Sequence, residues 1–118
     1  ALPILVSGDS HSFWANDLHD NAGKRIAAEF GTTGITSPGA GEIAPGLDYG
    51  TVVAKANPEV LFNDQISKGF VLLTLSRTEA KAEMIAVSTI VEKAFTARAV
   101  KTFRVTPEGR GLSAPKAV

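Results

Sequence analysis

A carboxylate and an imidazole stand two residues apart near the start of this 118-residue chain, in the segment Gly8-Asp9-Ser10-His11. Residues i and i+2 of an extended backbone face the same side, so Asp9 and His11 could present two metal ligands from one strand end. Gly8 has no side chain to obstruct a close approach of the backbone to an ion. The competing interpretation, which the bare pattern favours, is an Asp that caps the loop and a His that hydrogen-bonds a backbone carbonyl.

Three side chains after this segment are candidates for supporting such a site. Alternation places Glu29 on a face of small residues, where a partly buried carboxylate needs a partner such as Arg, a hydroxyl or a metal-bound histidine. Trp14 and Asn16 share one face of a predicted strand, and the indole of Trp14 could wall a cleft beside His11. An ordinary surface carboxylate and a core aromatic are the competing interpretations of Glu29 and Trp14.

Hydroxyl groups in a glycine-rich loop form the last candidate set. Residues 31–50 contain six glycines and two prolines, which predicts an irregular loop, and Thr36 and Ser37 could contact a phosphate-like anion there. The sequence contains neither Gly-Lys-[Ser/Thr] nor Gly-x-Gly-x-x-Gly, so the usual nucleotide-binding loops find no support. The competing interpretation is a crossing loop that its glycines and prolines permit. His19, the second histidine, is predicted to be a solvated turn residue.

The composition narrows the classes of partner. Twelve Lys and Arg residues balance twelve Asp and Glu residues, so the surface as a whole lacks the positive charge that binding to nucleic acid requires. The chain has no cysteine, which leaves only His and oxygen ligands for any metal. We expect no membrane span, because no apolar run approaches the roughly 20 residues needed. The chain begins without Met and enters an apolar run at once, which is typical of a piece of a longer chain.

The elements that must position these residues are mainly strands. The apolar run 2–6 predicts a strand buried on both faces, and segments 13–19 and 25–31 predict a hairpin, with a helix over 13–19 as the alternative. In that hairpin the face of Trp14, Asn16 and Leu18 is expected to coincide with the face of Phe30. Short helices are expected over 47–56 and from Asn57 through 62, strands over 69–76, 80–89 and 95–105, and a frayed tail after 106.

Taken together, these stretches resemble the C-terminal part of the PhoD-like alkaline phosphatases, a branch of the calcineurin-like metallophosphoesterases. The resemblance follows the chain in order, through residues 6–18, 27–30, 31–38, 57–58 and from 70 onward. Gly-Asp-x-His running into aromatic-Ala-x-x-Leu, followed by Ala-Glu-Phe and a Gly/Thr/Ser loop, is far more specific than Asp-x-His alone. It therefore favours the metal-ligand interpretation of Asp9 and His11. One departure is Gly34, where the family commonly has Ser.

The resemblance implies an α+β fold, mostly antiparallel sheet with short helices, that forms the C-terminal part of a four-layer αββα sandwich. Residues 1–118 would then be an incomplete domain. His11 would ligate ferric iron and Asp9 a neighbouring ion such as calcium, with other divalent metals as alternatives. Trp14, Asn16, Glu29, Thr36 and Ser37 would support the ligands or face a phosphate ester substrate. The resemblance also implies a periplasmic or secreted hydrolase acting on phosphate monoesters or diesters.

The upstream metal ligands of that family are not found in these 118 residues. Two ligands cannot hold a multinuclear centre. We therefore expect the remaining N-terminal part of the same protein to be the chain's partner, and the isolated chain to bind metal poorly and to be inactive. Two other classes remain open: a non-catalytic β-rich binding module, and a homo-oligomer whose copies complete each other's sheets.

Overall fold

The computed structural model describes residues 2–118 and places most of them in β-sheet, with two short helices. In chain order the elements are β1 (Ile4–Ser7), β2 (Phe13–His19), β3 (Arg25–Gly31), α1 (Ala40–Ile43), α2 (Tyr49–Ala56), β4 (Val60–Asp64), β5 (Gly69–Leu75), β6 (Ala80–Val87), β7 (Ala97–Val105), β8 (Pro107–Glu108), β9 (Gly111–Leu112) and β10 (Lys116–Ala117). The expected mostly antiparallel sheet with short helices is confirmed.

Two four-stranded sheets form the body of the described chain. The first has the order β1-β3-β2-β4, in which β1 runs parallel to β3 and the other neighbours are antiparallel. The second has the order β10-β7-β6-β5 and is antiparallel throughout. A two-stranded ribbon of β8 and β9 follows β7. The C-terminal ends of the parallel strands β1 and β3 therefore lie side by side. This brings the Gly8–His11 segment, which follows β1, next to the glycine-rich loop, which follows β3.

The hydrophobic core lies between the two sheets. Phe30 of the first sheet packs against Phe103 of the second, with ring centroids 6.3 Å apart. The inward positions of β6 are mostly alanines, and Ala82 is fully buried opposite Phe103. Small side chains on this strand leave room for the aromatic rings of its neighbours, so the sheets approach closely at native packing density.

The β2–β3 hairpin is confirmed, and the helix alternative for 13–19 is wrong. Asp20 begins the turn by accepting bonds of 2.9 Å from the backbone N–H groups of Ala22 and Lys24. The predicted coincidence of faces is wrong, however. Ala15 lies opposite Phe30, so the core face of β2 is the one that carries Ala15. Trp14 and its face mates lie on the outer side of the sheet, because register rather than alternation within each strand decides which faces meet.

The opening strand is not buried on both faces. Within residues 2–118, β1 is hydrogen-bonded to β3 alone and is an edge strand of its sheet. Leu5 and Val6 are 43% and 60% exposed. A short apolar run indicates a strand, but it does not say which neighbours cover that strand.

Two other expectations are also wrong. Asn57 does not begin a helical turn through 62; it ends α2, and β4 (Val60–Asp64) pairs with β2 instead. The tail after 106 is not frayed, because β10 adds to the edge of the second sheet beside β7. The helix expected over 47–56 is found as Tyr49–Ala56, with the carboxylate of Asp48 accepting a bond from Thr51 N at its start.

Candidate metal-ligand site

The Gly8–His11 segment joins β1 to β2 in the first sheet. His11 has a φ of 55°, in the left-handed region that residues with a Cβ rarely adopt. Its carbonyl oxygen lies 3.0 Å from Thr33 Oγ1, and a Cβ atom built on Gly39 would lie 2.9 Å from the same oxygen. The unusual backbone conformation is therefore held by close contacts from the glycine-rich loop.

The ring of His11 is oriented by a backbone carbonyl. His11 Nδ1 lies 2.9 Å from Pro38 O. A carbonyl oxygen can only accept, so Nδ1 donates in this bond, and in the neutral ring Nε2 is then the nitrogen with the lone pair. Histidines that bind metals usually have this arrangement, with one ring nitrogen donating to a carbonyl or carboxylate and the other facing the ion. The bond to a backbone carbonyl is the contact that the competing interpretation of His11 expected, and it leaves the other ring nitrogen available to ligate.

Asp9 is exposed and opens into a shallow groove of about 310 Å³. The groove is lined by Ser7, Asp9, Ser10, Trp14, Asn16 and Glu29. Three of the predicted supporting residues therefore lie beside Asp9. His11 does not line this groove, because its ring is bonded to the glycine-rich loop. Asp9 and His11 as ligands of neighbouring ions remain a prediction.

Glu29 is the centre of a polar network on the outer face of the first sheet. Its two carboxylate oxygens accept bonds from Ser7 Oγ at 2.9 Å and from Asn16 Nδ2 at 3.0 Å. These contacts are the partners that the sequence analysis required of a half-buried carboxylate. Asn16 is 9% exposed, and within residues 2–118 its Oδ1 atom is buried without a hydrogen-bond partner.

Trp14 and the two loop hydroxyls lie in different places. Trp14 Nε1 donates to Ser10 Oγ at 2.7 Å, so the indole links β2 to the segment that carries Asp9. Thr36 instead lines a separate, mainly apolar cavity of about 250 Å³. Ser37 contributes its backbone carbonyl, which accepts a bond from a buried lysine. The structure therefore brings Trp14 to the Asp9 groove and leaves Thr36 outside it.

Lys68 and Glu42 form a polar contact that no sequence pattern predicted. Lys68 is only 7% exposed, forms an ion pair with Glu42 and donates a 2.8 Å bond to Ser37 O. Glu42 Oε1 also accepts a 2.8 Å bond from Gly39 N. The bond from Lys68, followed by the bond from Gly39, lowers the pKa of Glu42. No local motif marks Lys68, because its partners are about 30 residues away in the sequence.

The described residues offer an incomplete set of metal ligands. Within residues 2–118, no group of three or more His, Asp or Glu side chains is placed to hold a metal ion. Asp9 and His11 suit the implied ions in donor type, since oxygen and imidazole ligands match calcium and iron respectively. Any centre that used them would need further ligands. In the same part of the chain, no helix has the length and apolar character that crossing a bilayer demands.

Comparison with known proteins decides the family. A family model described as PhoD-like phosphatase matches residues 2–84. The chain belongs to the PhoD-like phosphatase family. Its fold also matches a solved structure described as "Structure of PhoD", with a TM-score of 0.73 at 23% identity over 98% of this chain. No curated protein sequence matches the chain.

The match covers very different shares of this chain and of the PhoD chain. Nearly the whole of this chain is covered, but the matched region is only 22% of the PhoD chain. The resemblance drawn from Gly-Asp-x-His and the following motifs is thus confirmed at the level of the family, and the matching structure supports the fold. The chain therefore spans about a fifth of the length of the PhoD chain that it matches.

Proposed function

We propose that this chain supplies the last metal-binding loop of a metal-dependent phosphatase or phosphodiesterase, with His11 and Asp9 as its ligands. The observation that carries the proposal is the bond from His11 Nδ1 to Pro38 O, which leaves the lone pair of Nε2 available to bind a metal ion. Membership of the PhoD-like phosphatase family supports the phosphate ester as substrate. The remaining N-terminal part of the same protein would complete a four-layer αββα sandwich and supply the other ligands.

The residues of this chain have separate tasks in the proposed site. His11 would hold iron through Nε2, and the exposed Asp9 carboxylate would hold a neighbouring ion such as calcium. When bound, such ions would supply Lewis-acid chemistry, polarising the phosphoryl oxygens and activating a water nucleophile. Glu29 would keep Asn16 in place beside Asp9, since its carboxylate accepts a bond from the Asn16 amide. The parent protein is proposed to be periplasmic or secreted.

The test compares the complete protein with the isolated 118-residue chain. Both are assayed with p-nitrophenyl phosphate and bis(p-nitrophenyl) phosphate, and their iron and calcium contents are measured by elemental analysis. We expect turnover and bound metal in the complete protein alone. Robust turnover by the isolated chain would overturn the proposal that its metal site is incomplete. A complete protein that binds no metal and cleaves neither ester would favour the non-catalytic binding module.

Single variants of the complete protein then assign the ligands. His11→Gln should lower iron content and reduce kcat by about a hundredfold or more, and Asp9→Asn should lower the content of the second ion. His19→Gln is the matched control, because that histidine lies at the far end of β2 and bonds to Asp17 O. Full metal content and activity in His11→Gln would refute its role.

A further inference from the structure

Lys68 and Glu42, which form an ion pair, contact the residues on either side of Pro38, whose carbonyl orients the ring of His11. Lys68 Nζ holds the carbonyl of Ser37, just before Pro38, and Glu42 holds the N–H of Gly39, just after it. The carbonyl between these two anchor points is the one that accepts the His11 ring proton. Both sides of the Pro38 carbonyl are therefore fixed by one buried lysine and its carboxylate partner.

Lys68 is itself anchored to the second sheet. Its backbone carbonyl accepts a 2.8 Å bond from Val87 N at the end of β6. The following residue, Gly69, leaves no room for a side chain, since a Cβ there would overlap Ile85 O. A lysine is rarely this buried unless its charge is paired. The side chain thus reaches from the second sheet to a loop of the first and ends on fixed partners.

We propose that Lys68 is a positioning residue for His11, acting through Glu42 and residues 37–39 to hold the ring in the Nδ1–H tautomer with Nε2 free. The inference deepens the proposed function, and it rests on that function only for the statement that Nε2 faces a metal. The tautomer is a property of the described residues and needs no metal. In neutral imidazole, the nitrogen that carries the proton is set by the hydrogen bond that the ring makes. Loss of the Pro38 bond should therefore release the ring to the Nε2–H tautomer that solvated histidines favour.

Nitrogen NMR of the two histidines tests the proposal without metal or substrate. Protonated and unprotonated ring nitrogens have widely separated shifts, so each tautomer can be measured directly in uniformly labelled protein at a pH where the rings are neutral. Wild type, Lys68→Met and Glu42→Gln are compared, together with Lys81→Met. The last is the matched control, because Lys81 also forms an ion pair with a glutamate, Glu83, at 3.3 Å and does not contact residues 37–39.

We expect His11 Nδ1 to have the protonated shift in wild type and in Lys81→Met. In Lys68→Met and Glu42→Gln it should move most of the way to the unprotonated shift. His19 serves as an internal control, since its Nδ1 lies 3.0 Å from Asp17 O, away from the Lys68 contacts, and should not change. If Lys68→Met does not fold, as judged by its amide spectrum, Glu42→Gln decides the question.

An unchanged His11 shift in a folded Lys68→Met or Glu42→Gln variant would overturn the positioning role. This outcome is separable from a failure of the proposed function. If the complete protein binds no metal but the tautomer responds as expected, Lys68 positions His11 and the metal assignment is wrong. If metal binds through His11 but the His11 nitrogen shifts do not change in Lys68→Met, the positioning role of Lys68 is wrong and the proposed function stands.

Discussion

The indole of Trp14 lies against Gly31 of the neighbouring strand, so closely that a Cβ atom on Gly31 would stand 2.7 Å from Trp14 Cδ1. The two residues are cross-strand partners of β2 and β3. From this position the indole N–H reaches Ser10 Oγ at 2.7 Å. A glycine at the end of β3 thus gives Trp14 the space to link the sheet to the segment that carries Asp9.

Gly31→Ala should displace the indole and destabilise the chain. Overpacking of this kind costs about 1–3 kcal/mol of unfolding free energy. Trp14 is the one tryptophan in the sequence, so its fluorescence reports both the local change and the unfolding transition. Gly34→Ala is the control, because a Cβ there meets Ser37 atoms at 3.3 Å or more. Equal stability and an unshifted emission maximum in Gly31→Ala would contradict the contact.

The alanines of β6 set the spacing of the two sheets. Ala82 is fully buried opposite Phe103, so Ala82→Leu has no free volume to fill. We expect a loss of about 2 kcal/mol in urea unfolding. Ala99→Leu, at an exposed alanine in β7, should change stability by less than about 0.5 kcal/mol. The close packing would be disproved if Ala82→Leu were as stable as this control.

A cross-strand ion pair joins the two strands of the hairpin near its turn. Arg25 donates to both carboxylate oxygens of Asp17, at 2.6 Å from Nε and 3.0 Å from Nη2. The bond to Asp17 raises the pKa of Arg25. Arg25→Met leaves the Asp17 carboxylate, in a residue only 8% exposed, without its main partner.

The expected cost of Arg25→Met is about 1–3 kcal/mol of unfolding free energy, because the buried Asp17 charge loses the bonds from a partly exposed partner. Adding Asp17→Asn to that variant should recover part of the loss, since the amide carries no charge. Urea unfolding of wild type, the single variant and the double variant measures these differences in unfolding free energy. A double variant less stable than Arg25→Met would mean that desolvation of Asp17 is not the cause.

Local patterns predicted most of the elements but not their neighbours. The hairpin could be predicted because Asp20 and the following Gly mark a turn, and a short helix was expected over 47–56, where α2 is found. β4 was missed because Asn57-Pro58 is locally a good helix start, whereas the segment is held as a strand by pairing with β2, more than 40 residues earlier. The faces of the hairpin were mistaken because register depends on the turn and on the bulge after Leu18.

The candidate site shows the same division. Asp9 and His11 could be proposed because their types and spacing lie within one segment, and their role as ligands remains a prediction. The groove of Asp9, Asn16 and Glu29 could not be anticipated, because the expected pairing of faces put Asn16 on the side of Phe30, whereas the register places it opposite Glu29. The role of Pro38 and Lys68 could not be anticipated either, because it consists of a carbonyl and a buried ammonium brought together from separate parts of the chain.

The Glu42 carboxylate makes the Lys68 contacts dependent on pH. Its pKa is lowered from the ordinary value of 4.5, chiefly by the bond from Lys68 and next by the Gly39 N–H. A carboxyl group with a lower pKa in the folded state stabilises the fold fully above its unfolded pKa, and this contribution is lost as the pH falls through the folded pKa. Glu42→Gln removes the titrating group.

Wild type should therefore be more stable than Glu42→Gln at neutral pH, and the difference in unfolding free energy should shrink as the pH falls below 4.5. Urea unfolding across that range, at constant ionic strength, measures the difference. Glu92→Gln, in the exposed loop before β7, is the control and should show a smaller difference at neutral pH. A difference that stays constant or grows with acidity would show that the charge of Glu42 does not hold residues 37–39 in place.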